Sequence, residues 1–132
     1  MIQIKLNLFY LYEILSNNKM SIKEINVSQP WFDYIKLGKK TIEGRLNKGM
    51  FSQLKKDDII KFVNKDEHVI VRVEKIQYYD SFFQYLTLEG LERTLPDVYT
   101  IEEGINIYYK YYTKEQEKEY RILAISIELV DD

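Results

Sequence analysis

Cysteine is missing from this 132-residue chain, and histidine occurs once, at His68. No disulfide framework, thiolate nucleophile or Cys-ligated zinc or iron–sulfur site is therefore available, His-pair metal sites are excluded, and a Ser-His-Asp triad would hang on one residue. Only two prolines and five glycines punctuate the chain, which rules out collagen-like and low-complexity classes. Also lacking is any unbroken run of about eighteen apolar residues, so no membrane-spanning helix is expected. Near the N-terminus, Leu6, Leu8, Phe9, Tyr10, Leu11, Ile14 and Leu15 imitate a signal-peptide core. Glu13 interrupts it, however, and Ser16-Asn17-Asn18-Lys19 offers no small-residue cleavage site. The stretch reads as a helical or partly ordered extension over residues 1–19, or as sequence upstream of an alternative start at Met20, ahead of one domain over residues 20–132. A cytoplasmic address, or a nuclear one in a eukaryotic cell, is the expectation.

What is present is ordinary for a folded domain in bulk and uneven in detail. Hydrophobic residues make up 45% and charged residues 30%, enough for one core. Twelve tyrosines stand beside six phenylalanines and one tryptophan. Tyrosine suits a core, an interface or the underside of a stacked base, so composition alone names no ligand. The net charge of −2 conceals an asymmetry. Residues 36–65 carry nine basic against three acidic side chains, an excess of +6 that leaves −8 for the remainder. A local basic surface with an acidic opposite face is compatible with phosphate contacts, although any single lysine there is more simply a solvated rim.

Hydrophobic periodicity orders the chain as strand, helix, several strands, helices, strand. Ile25 and Val27 alternate with Glu24, Asn26 and Ser28; Pro30 then opens a helix carrying Trp31, Tyr34 and Ile35 that stops at Gly38. In the next strand Thr41, Glu43 and Arg45 share one face, with Ile42, Gly44 and Leu46 on the other. Residues 59–63 and 69–73 form a hairpin across a polar turn, its second strand extending to Tyr78 through a bulge. A helix over 81–88, a short turn to Leu95-Pro96 and a helix capped by Thr100 and Glu103 follow. Glu115, Glu117 and Glu119 read as a solvated acidic run, and Leu123, Ile125, Ile127 and Leu129 as a last strand. The expected fold class is α+β: a small, strongly curved barrel of about five strands closing on itself, with helices covering its openings.

The string Gly38-Lys39-Lys40-Thr41-Ile42-Glu43-Gly44-Arg45 puts a helix end, two cations and an acid within one strand length. Glu43 can accept from an exocyclic amine or ring N–H, and Arg45 offers a planar donor fork. Lys40 would act as a point charge or, desolvated, as a base of lowered pKa. Gly44 leaves room for another backbone. Spacing alone weighs this site and a plain Glu–Arg surface pair about equally.

The same residues fit the pattern G-x-K-x-x-E-x-R, with Gly38, Lys40, Glu43 and Arg45 at its fixed positions. The chain from about Ile22 to Val130 thereby resembles the ASCH domain (activating-signal-cointegrator homology), as do Pro30-Trp31, Leu54-Lys55-Lys56-Asp57-Asp58 and Leu95-Pro96. The resemblance implies a PUA-like barrel whose cleft holds RNA or a modified nucleoside. Some members are hydrolases that deacetylate an acetylated cytidine through a Lys, a Thr and a Glu, and others have been described as ribonucleases. By position the lysine is Lys40, the threonine position is filled by Glu43, and the third member could only be Asp97. Asp57 stands where the family commonly has Gly, and Asp tolerates the positive φ such a turn needs.

Three functions compete on these residues. The first is a binding module for RNA, a nucleoside or a nucleotide, using Lys40, Glu43 and Arg45 with Lys39 and a Trp31 ring. The second is a small hydrolase with Lys40, Glu43 and Thr41 as catalytic candidates. The third is a protein-interaction adaptor built on Leu8, Tyr12 and Leu15 in the extension. No cofactor, metal or membrane is called for, and His68, in a hairpin, reads as solvated. Tyr108 and Tyr112 read as core, and Trp31 as either a stacking platform or a buried anchor.

Overall fold

The structure, a computed structural model, describes residues 22–130; the extension expected over residues 1–19 lies outside the described residues. Alternating apolar residues produce five strands: β1 (Ile22–Asn26), β2 (Ile42–Leu46), β3 (Ile59–Asn64), β4 (Glu67–Tyr79) and β5 (Ile122–Leu129). They form one sheet in the order β1-β3-β4-β5-β2. β1 runs parallel to β3 and every other pairing is antiparallel. The expected bulge falls between Val73 and Lys75 and lets the 13-residue β4 bend from β3 onto β5.

Apolar side chains on both faces split the core in two. Inside the curl, Ile25, Phe62, Val71, Val73, Leu123 and Ile125 meet Phe32 and Ile35 from α1 (Trp31–Lys36). Outside it, Ile42, Leu46, Ile122 and Ala124 are covered by α2 (Phe82–Glu89), α3 (Leu91–Thr94), α4 (Ile101–Tyr108) and α5 (Lys114–Tyr120). β5 serves both layers, which accounts for its nearly unbroken apolar run. The helix starts are held by side chains that accept otherwise orphaned amide protons: Ser81 from Gln84, Thr100 from Glu103, and Thr113 from Gln116. Among the described residues no helix is long and apolar enough to cross a membrane.

The α+β curled sheet is the fold class expected, as a half-barrel. Closure differs in one respect, because the edge strands β1 and β2 do not pair. A side chain spans the seam instead, Arg45 donating from one Nη to the Asn26 carbonyl at 2.9 Å. Pro30 sits just ahead of the first helix rather than inside its first turn. The acidic run is not solvated throughout. Thr113 and Gln116 make a reciprocal capping box that opens α5, and Glu117 is buried, accepting from the Phe82 amide at 2.7 Å and the Tyr109 hydroxyl at 2.6 Å. Asp57 adopts φ 76°, as its turn requires.

Candidate functional site

The unpaired seam between β1 and β2 widens into a cleft of about 370 Å³. Asn26 and Ser28 line it from the β1 side, Trp31 from α1, and Lys40, Glu43, Gly44 and Arg45 from the motif strand. Asn64 comes from the end of β3 and Lys65 from the β3–β4 turn, and Tyr108, Tyr111 and Tyr112 from the end of α4 and beyond. The motif is placed by its own chemistry. Gly38, at φ 78°, ends α1 in a conformation that favours glycine, and the Lys39 and Lys40 amides both bond the Tyr34 carbonyl. The chain then turns directly into β2.

Three of the expected site residues form one buried constellation. Glu43 Oε1 lies 3.2 Å from Lys40 Nζ, and Glu43 Oε2 accepts from Arg45 Nε at 2.7 Å. Lys40 is only 2% exposed, and its Nζ also donates to the main-chain carbonyls of Ile42, at 2.7 Å, and Thr94. An ammonium has three N–H bonds, and all three are engaged. Burial pushes the Lys40 pKa below its ordinary value against the pull of Glu43; the three acceptors hold the proton in place. Burial opposes the charge of Glu43, but Arg45 and Lys40 outweigh it and hold the carboxyl below its usual range. Burial likewise opposes the Arg45 charge, and Glu43 more than restores it. Two cations against one anion leave a surplus positive charge at the floor of the cleft. Arg45 also lies over the Phe51 ring, 5.0 Å from its centroid.

The remaining candidates are distributed differently. Trp31 is half-buried, tilted against Tyr34 at 6.0 Å, and presents part of its ring to the cleft, so it both anchors and lines. Lys39 is exposed and is not among the residues lining the cleft. Neither are Thr41, whose amide bonds the Arg93 carbonyl, and Asp97, which accepts from the Tyr34 hydroxyl. The basic segment does not gather into one phosphate-facing surface. Lys36 pairs with Glu67 at 2.9 Å, Lys61 with Glu24 at 3.5 Å, and Lys48 covers the Tyr120 ring. From that segment only Lys40, Arg45 and Lys65 reach the cleft as cations. His68 is an exposed strand residue opposite Val63. The room beside Gly44 is taken by the Tyr85 ring rather than by another backbone. Sequence reasoning missed Lys65, Asn64 and Ser28 as lining residues. Tyr111, whose hydroxyl lies 3.0 Å from Ser28 Oγ, was legible only as a ring that had to leave the core. The adaptor residues Leu8, Tyr12 and Leu15 lie outside the described residues.

No curated protein matches this chain. Among solved structures, the hypothetical protein PH0355 is 40% identical, covering 83% of this chain and all of its own, with a TM-score of 0.78. Protein PF0455 from Pyrococcus furiosus is 41% identical over 85% of this chain and all of its own, with a TM-score of 0.72. Protein EF3133 from Enterococcus faecalis shares the fold at 13% identity and a TM-score of 0.56, covering 93% of this chain and 90% of its own. The ASCH domain family model matches residues 25–131. That match takes in every helix and strand described above except the first three residues of β1, and the chain belongs to the ASCH domain family.

Proposed function

We propose that the cleft binds single-stranded RNA or a nucleotide, one unit at a time. The observation that carries this reading is the surplus positive charge of the Lys40–Glu43–Arg45 cluster at the base of a nucleoside-sized, ring-lined opening. Arg45 spends Nε on Glu43 and one Nη on Asn26, and its guanidinium also meets the Tyr112 hydroxyl at the cleft wall. The remaining guanidinium N–H bonds and the exposed Lys65 are the donors left for a phosphate or carbonyl oxygen. Each Glu43 oxygen retains a lone pair for an exocyclic amine. Trp31, Tyr111 and Tyr112 supply faces on which a base can stack. A hydrolase reading fits less well, because Lys40 has no lone pair to offer while its three N–H bonds are held.

Fluorescence anisotropy with short single-stranded RNAs tests the proposal. Lys65 sits at φ 56°, a conformation asparagine tolerates, so Lys65→Asn removes the charge without straining the turn. It should weaken binding to every sequence and lower the salt slope by about one. Tyr111→Ala should weaken binding by roughly 1–3 kcal/mol with little change in that slope. Unchanged affinity in both variants would remove the cleft as the binding site.

A further inference from the structure

The outward-facing carbonyls of β2 are not all satisfied. Ile127 donates its amide to the Thr41 carbonyl at 2.9 Å, and Asn47 donates to Arg121 at 3.0 Å. By the alternation of an antiparallel ladder, Glu43 and Arg45 then spend their main-chain groups on β5, while Ile42, Gly44 and Leu46 turn theirs to the open edge. The Ile42 carbonyl is taken by Lys40 Nζ and the Leu46 carbonyl by the Lys48 amide, at 2.7 and 2.9 Å. Gly44, between them, is buried and lines the cleft, yet neither its N–H nor its C=O has a partner among the described residues. Such groups are ordinarily paired, and leaving them dry is costly. A fold that keeps one donor and one acceptor open at the centre of its cleft leaves them to be completed from solution.

We propose that the Gly44 main chain is the reading head of this cleft, pairing its N–H and C=O with the hydrogen-bonding edge of an unpaired nucleobase. The ligand is thus a flat ring carrying an acceptor and a donor side by side, and a base already paired in a duplex is excluded. This inference rests on the nucleotide reading above and narrows it. The cleft is lined from both faces of β2, by Glu43 and Arg45 on one side and by Leu95, Ile107 and Tyr108 on the other. It therefore lies in the plane of the sheet, where a planar ring meets the strand edge-on. Lys40, Glu43 and Arg45 are tied to one another, and beside them the Gly44 main chain adds a donor and an acceptor whose positions the strand fixes. Glycine is fixed at this position from behind, since a Cβ would lie 2.6 Å from the Tyr85 ring.

Amide hydrogen exchange, followed by nuclear magnetic resonance on the intact chain, tests this directly. The probes are uridine, cytidine, adenosine and guanosine 5′-monophosphates, a short single-stranded RNA, and the same RNA annealed into a duplex. In the free protein the Gly44 amide should exchange at least about tenfold faster than those of Glu43 and Arg45, and a bound mononucleotide or single strand should slow it about tenfold. The duplex should leave it unchanged. Binding that shifts the Tyr112 and Lys65 resonances while Gly44 exchange stays constant would overturn the reading-head role and leave the cleft intact. Equal protection by the duplex would overturn it too. If no probe binds, the nucleotide reading falls first and this inference with it.

Discussion

Arg45 on β2 and Asn26 on β1 are joined by a single side-chain-to-carbonyl bond of 2.9 Å, the tie between two sheet edges that do not pair. The same guanidinium neutralises Glu43, so one residue links the seam to the buried charges. Arg45→Ala should therefore cost roughly 3 kcal/mol, as expected when a buried carboxylate loses a partner. Arg45→Lys should recover part of that, because an ammonium keeps the charge but lacks the fork that spans both contacts. Urea denaturation measures both, and a loss below about 1 kcal/mol in the alanine variant would mean that the seam holds without the tie.

Lys40 separates a structural role from a catalytic one. Its ammonium satisfies the carbonyls of Ile42 and Thr94 as well as Glu43, with the side chain almost fully buried beneath the cleft. Lys40→Met keeps the length of the side chain but orphans three acceptors, with an expected cost of about 3–5 kcal/mol. A methionine variant that unfolds at the wild-type urea concentration would show that the lysine is not spent on holding the cleft together.

Much of the fold could be read in advance because alternation and helix stops are local signals. Ile25 and Val27, the alternating valines of β4 and the helix end at Gly38 each state their period within a few residues. Glu117 shows where that reading ends. Three glutamates at alternate positions look solvated until α2 packs opposite them and the Phe82 amide and the Tyr109 hydroxyl claim the middle one. The site followed the same division. Two residues apart on a strand, Glu43 and Arg45 had to share a face, so their pairing was legible. That Lys40 would turn inward, that the barrel would stay open beside β2, and that Thr41 and Asp97 would fall outside the cleft depend on α3 and on the β1–β2 seam. Contacts between residues so distant in sequence leave no periodic trace.

Acid should act through Glu43. Its carboxyl titrates below the ordinary value of 4.5 in the folded protein, because Arg45 and Lys40 outweigh the burial that opposes ionisation. The stabilisation from the ionised carboxylate is complete above the unfolded value and disappears as pH falls through the lower folded one. The difference in stability between wild type and Glu43→Gln should stay level from pH 7 to about 5 and shrink below 4.5. A gap that is already closing near neutrality would place the charge balance of the cluster elsewhere.

Alkali should act through the tyrosines. Burial, aided by Glu89, lifts Tyr79 to about 12; a bond to Glu117, aided by burial, lifts Tyr109 to about 12; burial drives Tyr85 and Tyr108 higher still. A phenol whose pKa is raised by folding keeps its proton while the unfolded chain loses it, so stability falls as pH rises past 10. Tyrosinate absorbance should rise in two stages, and the late stage, which belongs to the buried rings of Tyr85 and Tyr108, should coincide with loss of circular dichroism. A single stage completed while the fold is intact would contradict the burial of Tyr85 and Tyr108.

Gly44 and Tyr85 should behave as one unit. A Cβ on residue 44 would sit 2.6 Å from both Cζ and the hydroxyl of Tyr85, a ring wedged against Tyr108 in the helical layer. The difficulty is one of space, since Gly44 is not among the positive-φ residues. Gly44→Ala should cost about 1–3 kcal/mol through overpacking. Tyr85→Phe removes only the oxygen and leaves Cζ in place, so it should rescue little. Tyr85→Leu opens the space at its own cost, and adding Gly44→Ala to that background should then be nearly neutral, a coupling of about 1 kcal/mol or more in a double-mutant cycle. Additive losses across the cycle would mean that β2 can shift away from α2, and that the strand edge facing the cleft is less rigidly set than the packing of these two residues indicates.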